Sequence, residues 1–258
     1  MQASKNTGLE LSLKANLEMI KSTMGGSEDL MIKEMTGGQG WNGALIYIDG
    51  LTDSRVILHT TLSFQQSRKE ADGDRLAMIK ASVLAAGDVK MFGDKEQLFS
   101  QLISGKAIFL LEDCRECLSI GAEGWKDRNV GEPTSQNVVR GPMEAFTENI
   151  RTNTALIRRK IKDSRLWLEG RRIGSVTLTN VAIMYINGIA EPSLVEEVRR
   201  RLERISIDGI LESGYIEEFI QESSYSPRIV SFESIFKSVS SPRGAGKELL
   251  KFPANRSL

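Results

Sequence analysis

The chain has 258 residues, 40% of them apolar and 26% charged, the mix of a water-soluble globular protein with material for a sizeable core. Lys plus Arg and Asp plus Glu both total 34, which removes any general pull toward nucleic acid. Two cysteines and one histidine leave little for redox or metal chemistry, so neither a metal nor a cofactor is expected. No run approaches the ~20 apolar residues of a membrane-spanning helix, and residues 1–16 lack the apolar core of a signal peptide. As written, the chain is expected to be soluble and cytoplasmic.

Along the chain, Leu13, Leu17, Ile20 and Met24 recur at helical spacing, and Gly25-Gly26 reads as the stop. Residues 30–36 read as a short strand and 44–49 as a stronger one, followed by an Asp49-Gly50 turn. Asp53 is the expected cap of a helix turning Val56, Ile57 and Leu62 inward. A charged loop leads to a second helix with Leu76, Ile79, Val83 and Leu84. Asp94 caps a third with Leu98, Phe99, Leu102 and Ile103, ended by Gly105. Residues 107–111 and 118–122 read as arms of a β-hairpin.

Three glycines and Pro133 within 121–135 mark a boundary. Beyond it a helix is expected over 142–162, opened by Pro142, with Met143, Phe146, Ile150, Ile157 and Ile161 as its apolar stripe. Residues 166–168 read as a short strand and 175–186 as a longer one. Glu191 or Ser193 opens a helix with Leu194, Val195, Val198 and Leu202, and Ser213 caps a last one around Tyr215 and Phe219. The fold class is therefore α/β: two small mixed α/β subdomains joined by a linker. Residues 1–123 form the first, 124–140 the linker, and 141–227 the second; 228–258 are an atypical tail.

A short repeat links the halves. Leu45-Ile46-Tyr47-Ile48-Asp49-Gly50-Leu51 matches Ile183-Met184-Tyr185-Ile186-Asn187-Gly188-Ile189, each an apolar strand, an Asx-Gly turn and then a helix. Either a duplicated subdomain or the common grammar of strand, turn and helix accounts for it.

Candidate chemistry is sparse. Cys114-Arg115-Glu116-Cys117 lacks the further ligands zinc needs and sits at a hairpin turn instead of the helix start a redox pair uses. Gly37-Gly38-Gln39-Gly40 is followed by no Lys-Ser or Lys-Thr, and Gly244-Ala245-Gly246-Lys247 is followed by Glu248 where a phosphate loop needs a hydroxyl. His59 has no acid or cysteine at a catalytic spacing. The run Arg199-Arg200-Arg201 is interleaved with Glu196, Glu197 and Glu203. Pairs such as Glu197–Arg201 and Arg200–Glu203 make it a solvated helix face, without the aromatic residues that stack on bases. An enzyme is not expected; a small-molecule enzyme or a solute-binding protein with two α/β lobes is the alternative.

Residues 128–133 (Arg-Asn-Val-Gly-Glu-Pro) and 139–148, from Val139-Arg140-Gly141-Pro142 to Thr147-Glu148, resemble the signature of the GerA spore germination family. The likeness continues through Asn153, Leu156-Ile157-Arg158-Arg159 and Tyr185-Ile186-Asn187-Gly188 to Arg204, and covers roughly residues 10–227. This resemblance implies the soluble N-terminal region of a germinant receptor A subunit in the spore inner membrane. That region would face the spore core and couple nutrient sensing to ion release. It implies B and C partner subunits, a homo-oligomer, no nucleic acid, and a membrane attachment only through a C-terminal region beyond these residues. The chain departs from the family after Pro227, so residues 228–258 are expected to be poorly packed or foreign to it.

From Arg140 to Arg172 nine basic residues face four acidic ones, where the resemblance is densest. Arg140, Glu144, Glu148, Arg158 and Arg159 are the residues expected to couple the subdomains or a partner. Arg158 and Arg159 are read as part of an exposed basic face, so reversing both charges is expected to spare the fold of the isolated chain.

Overall fold

Two antiparallel hairpins, each closed by a tight turn into a helix, organise the computed structural model. It describes residues 7–37, 40–66, 75–83, 88–124, 149–206, 208, 229–230 and 249–253. The chain divides into two compact units: Met1–Lys126 with Arg158–Ser164, and Asp127–Ile157 with Arg165–Leu258. The division near residue 126 lies within the stretch expected to be a linker, and the chain's return to the first unit at Arg158–Ser164 has no sequence signal.

The first unit is built on a five-stranded sheet of order β1-β2-β4-β5-β3. Its strands are β1 (Leu30–Thr36), β2 (Asn42–Ile48), β3 (Val89–Phe92), β4 (Ala107–Leu111) and β5 (Cys117–Ile120), and every pairing is antiparallel. Every residue of β4 and β5 is buried, because helices cover both faces of the sheet. On one face Leu45, Phe109, Leu118 and Ile120 pack with Ile57 and Phe64 of α2 (Ser54–Gln66) and with Leu76 and Ile79 of α3 (Arg75–Val83). Phe64 meets Phe109 edge-on at 4.8 Å. The other face packs against α1 (Leu13–Thr23) and α4 (Lys95–Ile103), which bury Leu13, Leu17, Ile20, Leu98 and Leu102.

Asp53 and Asp94 cap their helices as expected, and Ser12 caps α1 without having been singled out in the sequence. Ser12 Oγ accepts from Ala15 N–H at 3.3 Å and Asp94 Oδ1 from Gln97 N–H at 2.8 Å, while Asp53 Oδ1 accepts from Arg55 N–H at 2.8 Å. Strand β3 was not anticipated, since four residues are too few to show an alternation. Leu62, expected to face inward, is instead exposed.

The second unit carries a four-stranded sheet of order β6-β7-β9-β8. Strands β6 (Leu166–Ile173) and β7 (Thr179–Ile186) pair antiparallel in register from Leu166↔Ile186 to Ile173↔Thr179. The expected strand over 175–186 therefore starts four residues late, and the one at 166–168 runs five residues longer. The ladder needs both arms, and the connection at 174–178 separates them. Helix α6 (Pro192–Glu203) lays Val195, Val198 and Leu202 on Ile173, Val181, Ile183 and Tyr185. Helix α5 (Ile150–Lys160) begins later than expected: Asn149 Oδ1 accepts from Arg151 N–H at 2.9 Å and caps it. Residues 142–148 and the helix expected near Tyr215 lie outside the described residues.

Seven residues of the tail form strands. Strand β9 (Leu249–Pro253) pairs antiparallel with β7, and β8 (Ile229–Val230) pairs parallel with β9. Backbone pairing depends little on side-chain period, so the scattered apolar residues there gave no strand signal.

The heptapeptide repeat extends into the backbone. Ile48 O accepts from Leu51 N–H at 3.2 Å and Ile186 O from Ile189 N–H at 3.1 Å. Gly50 and Gly188 take φ values of +85° and +81°, where a Cβ would be strained. Each turn is also tied to the residue before the partner strand: Asp49 N–H donates to Asp29 O at 2.8 Å, and Asn187 N–H to Arg165 O at 2.9 Å. Each unit thus contains the same hairpin, Asx-Gly turn and helix.

Gly124, one of the glycines that mark the expected boundary, has a packing reason. A Cβ there would stand 2.4 Å from Asp53 N, because residues 122–124 run beside 51–53.

Candidate functional site

Arg158 and Asp29 form the most buried charged pair among the described residues. Arg158 is 2% exposed and Asp29 8%. Arg158 Nη2 donates to Asp29 Oδ1 at 2.7 Å and Nε donates to Oδ2, a two-pronged match of guanidinium to carboxylate. The two residues are 129 positions apart, and both belong to the first unit. Asp29 sits one residue before β1, with its carbonyl fixed by Asp49 N–H. The pair therefore anchors the returning segment to the hairpin and Asx-Gly turn.

This corrects the expectation of an exposed basic face. Residues 153 to 158 of α5 are all buried, so its apolar stripe is not flanked by a free polar side at that point. Exposed positions on α5 are Ile150's neighbours Arg151 and Thr152, and Lys160; Arg159 is half-buried and engaged by its own contacts. Arg140, Glu144 and Glu148 lie outside the described residues.

In the second unit, Glu169 of β6, Tyr185 of β7 and Arg199 of α6 converge. Tyr185 Oη donates to Glu169 Oε1 at 2.6 Å, Arg199 Nε donates to Glu169 Oε2 at 2.8 Å, and Arg199 Nη2 donates to Glu169 Oε1. Arg199 Nη1 reaches Glu196 Oε2 at 2.9 Å. Trp167 meets the Tyr185 ring edge-on at 6.0 Å. Hydrogen bonding from Arg199 holds the Glu169 carboxyl below the usual carboxylate range, against the opposing effect of burial. Burial, and then the Glu169 carboxylate, push the Tyr185 hydroxyl up to about 12. Hydrogen bonding to Glu169 raises Arg199 above its ordinary value.

The sequence reading placed Arg199 on a solvated face with its two neighbours. Arg201 does pair with Glu197 at 2.6 Å, and Arg200 also pairs with Glu197 and not with Glu203. Arg199 instead turns to the sheet. A signal existed: Val195, Val198, Arg199 and Leu202 share the i, i+3, i+4, i+7 stripe of α6.

The remaining motifs stay chemically quiet in their surroundings. Cys114 is half-buried at the β4–β5 turn, and burial followed by Glu116 pushes the buried Cys117 thiol up to about 12, far from a reactive thiolate. Gly37 opens the β1–β2 connection, its N–H donating to Trp41 O at 2.8 Å. His59 is exposed on α2. Gly244 to Lys247 lie outside the described residues. Among the described residues no cluster of His, Cys, Asp or Glu could hold a metal ion, and no helix is long and apolar enough to cross a membrane.

Comparison with known proteins places this architecture. The profile of the Bacillus/Clostridium GerA spore germination protein matches residues 18–233. Spore germination protein KA of Bacillus subtilis (strain 168) is 37% identical over 217 residues, covering 83% of this chain and 40% of the relative. Spore germination protein B1 of the same organism is 32% identical, covering 87% of the chain and 47% of the relative. The chain thus spans less than half the length of these relatives. The crystal structure of the N-terminal domain of the A subunit of the Bacillus megaterium spore germinant receptor GerK3 superposes with a TM-score of 0.65. It shares 33% identity, with 85% of this chain and 82% of that one covered. On the extent of the profile match and the agreement of the fold, the chain belongs to the GerA spore germination family.

Proposed function

We propose that this chain is the N-terminal region of a spore germinant receptor A subunit and couples nutrient sensing to ion release. The observation that carries the reading is the shared fold with the GerK3 A-subunit domain across more than four-fifths of both chains. In this reading the protein works in the spore inner membrane with B and C subunits, and as a homo-oligomer. Its nutrient-dependent step is conformational and not catalytic.

Coupling is assigned to Arg158 and Arg159 on α5, with Arg140, Glu144 and Glu148 before it. Arg158 acts through its anchor to Asp29 and does not present its charge to a partner, because a side chain 2% exposed has no surface to offer. Arg159, half-buried, follows it on the last turn.

Co-purification tests the assembly. A tagged full-length product of this gene, extracted from spore membranes in detergent, should bring down the B and C subunits of one receptor. Recovery of the tagged protein at normal level without either subunit would contradict the reading.

A further inference from the structure

Strand β7 needs a partner on both sides. Val181, Ala182, Ile183 and Met184 are at most 3% exposed, so backbone groups left open there would lie against apolar surroundings. Successive residues of a strand turn their N–H and C=O to opposite neighbours. On one side β6 satisfies β7 along the whole register from Leu166↔Ile186 to Ile173↔Thr179. On the other side β9 meets it at four positions only, from Val181↔Pro253 to Met184↔Leu250.

The strands that end the two sheets carry guards against pairing with another chain. β1 has exposed Lys33 and Glu34, β3 has exposed Lys90, β6 has Arg171 and Arg172, and β8 is only two residues long. Val181–Met184 has neither a charge nor a proline. It reads as an edge meant to be covered.

The cover comes from outside the family match. Strands β6 and β7 and helix α6 lie within residues 18–233, which fit the GerA profile, and β9 lies beyond them. β8 lies inside the match but pairs with β9 and not with β7. Among its described residues, the matched stretch thus builds an unguarded edge without the strand that closes it.

We propose that the β7 edge is a receiving site for an extended segment, and that Leu249–Pro253 fills it as a displaceable strap. The segment enters antiparallel, with apolar residues at the register positions opposite Met184 and Ala182, here Leu250 and Phe252. The same segment offered in trans meets the same register once the strap is out. The short ladder makes the strap the part of this sheet that opens first. The proposal draws on the family match but not on the role in nutrient sensing.

The unaltered 258-residue chain is compared with Leu250→Pro/Lys251→Pro. Of two neighbouring residues one faces β7, so the pair of prolines breaks that ladder whichever it is. The probe is a fluorescein-labelled peptide of residues 247–255. The altered chain is expected to bind it at least about ten-fold tighter, because in the unaltered chain the site is held by a strand at high local concentration. Amide exchange reads the place. The β7 amides that face β9 should be protected in the unaltered chain, open in the altered one, and protected again by the peptide. Those facing β6 should stay protected throughout. Equal binding by both chains would overturn the proposal. So would no binding by an altered chain that keeps its β6-facing protection, or peptide protection away from β7. If the prolines also dissolve the β6–β7 ladder, the unaltered chain decides alone: its β9-facing amides should exchange at least about ten-fold faster than its β6-facing ones. Equal rates would overturn the proposal.

Discussion

Arg158→Ala is expected to destabilise the first unit by about 3–5 kcal/mol, enough to unfold it if its stability is typical of small domains. The variant strands the Asp29 carboxylate in a site that is 8% exposed, with its two charged donors gone. Arg158→Glu should be worse, because it sets two carboxylates face to face in a site that excludes water. Asp29→Leu combined with Arg158→Met should recover most of the loss, since neither side then buries an unpaired charge. Urea unfolding of the three variants checks this. A small change in Arg158→Ala would show that the pair is not buried in solution. The double variant also separates two roles in the full-length protein: a folded region that no longer supports germination assigns the anchor itself to coupling.

Removing Glu169 should cost the second unit about 2–3 kcal/mol, because Arg199 and Tyr185 lose a shared charged acceptor. Exposure keeps the figure below that of the Arg158 pair: Glu169 is 19% and Arg199 29% exposed. The acid limb carries a sign. Glu169 has a folded-state pKa below its unfolded value, so its contribution is fully present above the unfolded value of ~4.3 and is lost as pH falls through the lower folded one. Glu169→Gln should therefore flatten the acid-side loss of stability. Hydrogen exchange of the β6 and β7 amides across that pH range reads the unit directly. An unchanged acid limb in Glu169→Gln would remove Glu169 from the account.

Much of the fold was readable because burial leaves a period. Leu13, Leu17 and Ile20 announce α1, the continuous apolar run from Ala107 to Leu111 announces a strand covered on both faces, and Asp94 announces its cap. The Asx-Gly turns were readable twice over, since only glycine suits a φ near +80° there. What was not readable is pairing at long range. Nothing local distinguishes a buried arginine on α5 from an exposed one until Asp29, 129 positions away, is brought against it. The same holds for β9, whose partner is fixed by the ladder of β7 and not by its own residues. Arg199 shows the intermediate case: its position on the α6 stripe was visible, but a charge there reads as exposed until a carboxylate on the sheet is known to meet it.

The central claim, that the chain is the N-terminal region of a germinant receptor A subunit, is tested most directly by nutrient-triggered ion release. The measurement uses spores carrying the full-length gene as their only A-type subunit, with its B and C partners. The account predicts release on addition of at least one nutrient, and its loss when the Asp29–Arg158 anchor is broken. No release with any nutrient, from spores that hold the receptor at normal level, would contradict it.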